Sequence, residues 1–264
     1  MQNSPRNLLK TVVLRTTSLL GVSQSEERIA DDSQKYWADP TTAHFRAFSH
    51  WKGDDAISQQ TWHAIGQQHV NLFHELARIT PLQMPVGRVI EWGCGGGANA
   101  VHFAGLGNQF VGVDLSQSTL DECAANLREA GFNNFFPVLI DVAHPEKARD
   151  LVPGPCDIFL CTYVFELIPS PAYGRRLLEI AHHLLRPGGV ALVQIKYATG
   201  DWRTQPRRWG YRHNLANMTT YRIDEFWQLA DSIGLKPKAV TLQPIQSLVN
   251  DERYAYFLLE KPAT

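Results

Sequence analysis

The chain has little cysteine and almost no net charge. Its four cysteines, Cys94, Cys123, Cys156 and Cys161, form no C-x-x-C pair. Neither a disulfide framework nor a thiolate metal cluster is therefore expected, and the four read as reduced thiols in a cytoplasmic protein. Lys and Arg number 25 against 26 Asp and Glu, for a net charge of -1. That balance argues against a duplex nucleic-acid binder, which usually carries a basic excess. No apolar run approaches the length of a membrane span. Lys10 and Arg15 interrupt the apolar groups from Leu8 to Leu20, which breaks any signal-peptide core. Internal repeats and low-complexity tracts are also missing.

What is present suits a globular fold. The chain has 264 residues, 44% of them hydrophobic, enough for one α/β domain with an added segment. Residues 1–80 read as a helical, aromatic cover. Within it, Leu8, Leu9, Val12, Val13, Leu19 and Leu20 share a helical face, suited to packing on the domain or on a second copy in a homodimer. Tyr36 to Asp55 is dense in aromatics, His and Arg, and reads either as a pocket cover or as a surface subdomain with its own core. Gln59 to Arg78 has the apolar spacing of an amphipathic helix. Pro81 and Pro85 mark a linker.

Residues 81–264 then alternate short apolar strands with helices, the sign of a doubly wound parallel sheet. The pattern predicts strands at Arg88–Glu91, Gln109–Val113, Pro137–Ile140, Asp157–Cys161, Val190–Lys196, Lys238–Leu242 and Tyr254–Glu260. Ser116 and Gly131 bracket one predicted helix as N-cap and C-terminal stop. A polar, aromatic insertion covers about 198–218.

The first strand runs into Glu91-Trp92-Gly93-Cys94-Gly95-Gly96-Gly97-Ala98. Glycines at a strand's carboxyl end let the backbone turn and approach a ligand. A dinucleotide fingerprint also fits, so an NAD-dependent oxidoreductase is one rival; a non-catalytic scaffold is another. Glu91 separates the first two readings, because it would repel a pyrophosphate and welcome the cationic end of S-adenosylmethionine. Asp114 follows at the distance where a carboxylate reaches ribose hydroxyls, and Asp141 is placed for an adenine amine.

Five ordered motifs resemble a class I S-adenosylmethionine-dependent methyltransferase: Val-Ile-Glu-Trp-Gly-Cys-Gly-Gly-Gly, Val-Gly-Val-Asp-Leu, Leu-Ile-Asp-Val, Cys-Asp-Ile-Phe-Leu-Cys-Thr-Tyr-Val-Phe-Glu-Leu-Ile and Leu-Leu-Arg-Pro-Gly-Gly-Val-Ala-Leu-Val. The resemblance runs from about Val86 onward. It implies a Rossmann-like seven-stranded α/β sheet of order 3-2-1-4-5-7-6 with strand seven antiparallel. It also implies cofactor contacts at Glu91, Gly93, Cys94, Gly95, Asp114, Leu115, Asp141 and Val142, with Thr162 added after strand four. Many relatives have Glu-His after strand four; here Glu166-Leu167 stands there, which removes that histidine.

Methyl transfer to a hydroxyl gains from a general base. Glu166, His213 in the insertion, and Tyr163 are the candidates, with His44 and His50 in the cover behind them. No ligand spacing for a metal appears, and a divalent ion holding the acceptor stays open. The aromatic and polar side chains of the insertion and of Tyr36–Trp51 suit a hydroxyl-rich acceptor. The combination of Tyr-Trp-Ala-Asp-Pro…His-Phe-Arg-Ala-Phe with the glycine motif is similar to actinobacterial sugar O-methyltransferases. The expected activity is O-methylation of a small hydroxylated molecule, a sugar first and a non-sugar natural product second.

Overall fold

Val89 and Ile90, neighbours in a β-branched run, point to opposite sides of a sheet as the pleat requires. Ile90 joins a core cluster with Val111, Phe159 and Ala191, while Val89 joins a second with Phe110, Ile158 and Leu192. Strands buried on both faces need helices on both faces, and the rest of the architecture follows. The computed structural model describes residues 12, 15, 16, 22–42, 44–79 and 86–263.

The strands are β1 (Arg88–Trp92), β2 (Gln109–Asp114), β3 (Phe135–Leu139), β4 (Cys156–Cys161), β5 (Leu185–Lys196), β6 (Lys236–Gln246) and β7 (Asp251–Glu260). They form one seven-stranded sheet of order β3-β2-β1-β4-β5-β7-β6. All neighbours from β3 to β5 are parallel, and β7 runs antiparallel to both β5 and β6. Both the predicted order and the antiparallel seventh strand are present.

The longer helices are α1 (Glu26–Trp37), α2 (Gln59–Ala77), α3 (Gln117–Glu129), α4 (Pro171–Leu184) and α5 (Ile223–Ile233). Local chemistry sets their ends. Ser116 Oγ accepts from Thr119 N at 3.4 Å to open α3, and Gly131 follows it at φ +83°. Ser170 caps α4, whose first residue is Pro171, the position where a missing N–H costs nothing. Gly234, at φ +92°, closes α5.

Several boundaries differ from the periodicity. Pro187-Gly188-Gly189 lies inside β5 rather than in a turn ahead of it: the β4 register jumps between the Cys156–Leu185 and Ile158–Val190 pairs. A bulge there accommodates the proline. Gly188 N then donates to Lys261 O, and Lys261 N to Gly189 O. The β6–β7 pair extends to Gln246 and Asp251, because polar residues continue a hairpin that apolar alternation does not mark. After the glycine loop the chain makes one α-turn, Ala100–Phe103, plus a 3-10 turn. The N-terminal apolar face, and with it the expected dimer contact, lies outside the described residues except for single positions; so does most of the linker. No helix among the described residues is long and apolar enough to cross a membrane.

Candidate active site

At the carboxyl ends of β1, β2 and β4 a cavity opens. Its floor is the glycine loop. Gly93 and Gly95 have φ of +71° and +52°, a region that non-glycine residues avoid. A Cβ on Gly93 would stand 2.5 Å from Val164 Cγ2. The next two glycines are crowded from another side. A Cβ on Gly95 would meet Ser49 O at 2.6 Å, and one on Gly96 would meet His50 O at 2.5 Å. Gly96 N also donates to Ser49 O at 2.7 Å. Part of the glycine requirement therefore comes from the segment Ser49–Trp51 clamped on the loop.

Glu91, Gly93, Cys94, Gly95, Asp114, Leu115, Val142, Thr162 and Tyr163 all line the cavity. Glu91 is buried, and its Oε2 has no partner. Burial pushes its carboxyl up from 4.5 to about 8, against the lowering effect of a hydrogen bond from Asn99; Asp114 adds to the rise. Asp114 is likewise raised by desolvation, to about 6. Gly95 N, Leu115 N and Ser116 N donate to its two oxygens at 3.2, 2.8 and 3.1 Å. A carboxylate so held has lone pairs left for incoming hydroxyls.

Asp141 stands outside this cavity. It faces a shallower depression, where Lys147 Nζ is 2.9 Å from Oδ2 and His144 N donates to Oδ1 at 2.7 Å. The hydrogen bond from Lys147 holds its pKa below the usual carboxylate range. Its neighbour Val142 reaches the cavity wall and donates its N–H to Gln34 Oε1 of α1 at 2.8 Å.

The three catalytic candidates separate. The His213 side chain is exposed and lies off the cavity. The single turn Tyr211–Asn214 directs Tyr211 inward instead. The Tyr211 hydroxyl accepts from Ser33 Oγ at 3.0 Å and Trp37 Nε1 at 2.8 Å, tying the insertion to α1. The second candidate is Glu166. It is buried but does not line the cavity, with Gln194 Nε2 at 3.4 Å and Met218 N donating to its backbone carbonyl at 3.0 Å. Desolvation pushes it to about 7. Tyr163 does line the cavity, at φ +57°. Its hydroxyl receives Gln246 Nε2 at 3.4 Å, and burial holds its pKa well above 10. It stays a phenol at neutral pH.

His50 comes to the wall instead, its ring edge-on to Tyr163 with centroids 4.9 Å apart. Desolvation lowers it to about 4, with His69 contributing, so the imidazole is neutral and can accept a proton. Asn99 stands beside Glu91 and His69 beside Asn99, and no sequence motif marks either of them. Their only signal was position: Asn99 stands two residues after the last glycine of the loop, and His69 falls on the apolar face of α2. Among the described residues, no group of three or more His, Cys, Asp or Glu side chains could hold a metal ion.

A methyltransferase-domain family model matches residues 64–240. The ubiquinone biosynthesis O-methyltransferase of Burkholderia vietnamiensis is 32% identical over 102 residues, 39% of this chain and 41% of that protein. The chain spans between about two fifths and three fifths of the length of the curated relatives it matches. Among solved structures, magnesium protoporphyrin IX methyltransferase from Synechocystis with bound S-adenosylhomocysteine has a TM-score of 0.60 at 13% identity, covering 86% of this chain and 97% of that one. The [4+2]-cyclase SpnF also has a TM-score of 0.60, at 16% identity over 92% of this chain and 98% of that one. Both structural likenesses speak for the fold.

Proposed function

The chain belongs to the methyltransferase-domain family, and from that premise we propose that it methylates a hydroxyl on a small acceptor whose body is mostly apolar. S-adenosylmethionine is the donor; when bound, it supplies a methyl group on a positively charged sulfur. The single observation that carries the reading is Glu91: a buried carboxyl at the loop's mouth that lines the cavity and has one oxygen, Oε2, without a partner. An unpaired buried acceptor is costly unless a cation or donor meets it. The α-ammonium of the donor is such a group.

Glu91, Gly93, Cys94, Gly95 and Thr162 would hold the amino-acid end. Asp114 and Leu115 would hold the ribose, and Val142 the adenine with Asp141 at its outer edge. The acceptor would lie beneath Trp37, Phe48 and Tyr211, beside Leu167 and Ile168, all on the cavity wall. His50 is the assigned proton acceptor: one imidazole nitrogen takes the hydroxyl proton as the oxygen becomes nucleophilic. The aromatic roof excludes water, which strengthens each polar contact inside.

This lining favours a phenol or lipophilic alcohol over a sugar. Of the insertion's polar and aromatic side chains, Tyr211 alone among the described residues stands on the cavity wall, so the hydrogen-bond donors expected for a sugar are elsewhere. The Burkholderia relative is named as an O-methyltransferase, which supports transfer to oxygen. The test is transfer of labelled methyl from S-adenosylmethionine to matched panels of phenols, lipophilic alcohols and sugars. Label on phenols or lipophilic alcohols is the expected result. Label on sugars alone overturns the acceptor assignment. Donor binding without transfer to any panel member overturns the transferase reading and favours a non-transferring role on the same fold.

A further inference from the structure

Helix α2 precedes the sheet in sequence, yet it packs directly behind Ala98, a residue of the cavity wall. Gly66 makes the approach feasible: a Cβ there would fall 1.9 Å from the Ala98 carbonyl oxygen. One turn further on, His69 is completely buried. Its Nδ1 lies 2.8 Å from Asn99 Oδ1, and its Nε2 lies 3.1 Å from the Tyr256 hydroxyl. Asn99 Nδ2 is 2.6 Å from Glu91 Oε1 and 3.0 Å from Thr162 Oγ1. Five parts of the fold thus meet in one buried network: α2, the residue before Ala100–Phe103, the end of β1, the start of the loop after β4, and β7.

The hydrogen-bond inventory orders this network. A carboxylate only accepts, so an ionised Glu91 needs the amide nitrogen of Asn99 facing it. Both amide hydrogens are then used, one on Glu91 and one on Thr162. Asn99 Oδ1 is left facing His69, so Nδ1 of the imidazole must carry the proton. Nε2 is then free to accept from Tyr256. A reversed amide would set an oxygen against the Glu91 carboxylate. The carboxylate disfavours that reversal from one side, and a proton on His69 Nδ1 disfavours it from the other.

We propose that His69 is a positioning residue for the donor's amino-acid end. By donating to Asn99 it holds both amide hydrogens toward Glu91 and Thr162, and so presents the free Glu91 Oε2 to an arriving ammonium group. His69 does not line the cavity; it acts through Asn99. The inference rests on the reading of the cavity as the donor site. It implies that recognition of the ammonium depends on α2, while recognition of the nucleoside does not.

Two substitutions divide the imidazole's two roles. In His69→Asn the side-chain amide nitrogen replaces Nδ1 and keeps the donor to Asn99. In His69→Gln the amide reaches the position of Nε2 and keeps the contact to Tyr256, but withdraws that donor. Calorimetric titrations would compare S-adenosylhomocysteine with 5′-methylthioadenosine, which lacks the amino-acid end. His69→Gln should weaken S-adenosylhomocysteine roughly tenfold, as expected when a buried charged group loses the partner that orients it. It should leave 5′-methylthioadenosine within about twofold, and His69→Asn should bind both ligands nearly as wild type. Equal losses for the two ligands, or equal behaviour of the two variants, overturns the proposal. If the wild-type protein binds 5′-methylthioadenosine and not S-adenosylhomocysteine, the donor reading of the cavity fails, and this proposal fails with it.

Discussion

Glu91 and Asp114 sit within one cavity, and burial pushes both carboxyls upward, to about 8 and about 6. Below pH 8 the Glu91 carboxyl carries a proton that a cationic ligand must expel. Affinity for S-adenosylhomocysteine should therefore rise from pH 6 toward pH 8, with proton release visible when calorimetric heats are compared in buffers of different ionisation enthalpy. A flat affinity over that range would show that Glu91 does not meet the ammonium. His50 has the opposite shift, down to about 4, so it remains neutral across the same window. His50→Ala should lower kcat by about 10²–10⁴, the usual span for a general base, with S-adenosylhomocysteine affinity held. A proportional loss in that affinity would instead mark His50 as a packing residue. Glu91 and Asp114 were legible from the sequence because their spacing from the glycines is local. His50 was one of several cover histidines there, and no local pattern distinguished it from His44 or His213.

At the scale of elements, the cover and the sheet meet through backbone contacts that leave no room for a side chain. A Cβ on Gly96 would stand 2.5 Å from His50 O and 2.8 Å from Trp51 Cα, both main-chain atoms. Gly96→Ala should therefore lift Ser49–Trp51 from the loop at a cost of about 1–3 kcal/mol. The checks are a lower Tm and faster proteolysis near Trp51; unchanged values for both would mean the clamp yields freely. Tyr211→Phe tests the other side of the roof, where Ser33 and Trp37 both donate to the hydroxyl. Losing that acceptor strands two donors at about 1–3 kcal/mol, which should raise KM for the acceptor more than it changes donor affinity. Four of the five longer helices, α2 to α5, were readable from periodicity and caps; α1 was not, because residues 26–35 are mostly polar and carry little apolar period. The β5 bulge and the β6–β7 extension were not, because register between strands is set by partners distant in sequence.

Across the whole molecule, buried titratable groups give stability a definite dependence on pH. Glu166 and Glu91 are raised from 4.5 to about 7 and about 8, so the folded chain holds protons there that the unfolded chain has released. Their contribution is complete below pH 4.5 and is lost as pH rises through 7 and 8. His50 and His69, lowered from 6.5 to about 4, act oppositely: their contribution is present above pH 6.5 and is lost as pH falls toward 4. The two trends oppose between pH 4.5 and 6.5, and above 6.5 the carboxyls act alone. Without ligand, Tm should therefore fall from pH 6.5 to pH 8, and S-adenosylhomocysteine should reduce that fall by giving an ionised Glu91 a partner. A ligand-free Tm that rises over this interval would contradict the burial of these groups.

The sequence by itself determined the sheet, its strand order through the resemblance, the glycine loop and the acids beside it, because each depends on residues near one another along the chain. Apolar alternation, caps and glycine spacing act over a few residues and survive without tertiary context. Only the tertiary structure decided what faces the cavity. It turned Tyr211 inward and His213 outward on one helical turn, set Glu166 behind Gln194, and brought His50 and His69 from before the sheet to its active end. Those placements depend on which surfaces pack against which, and the glycines record that packing: two of them make room for the cover as well as for the turn.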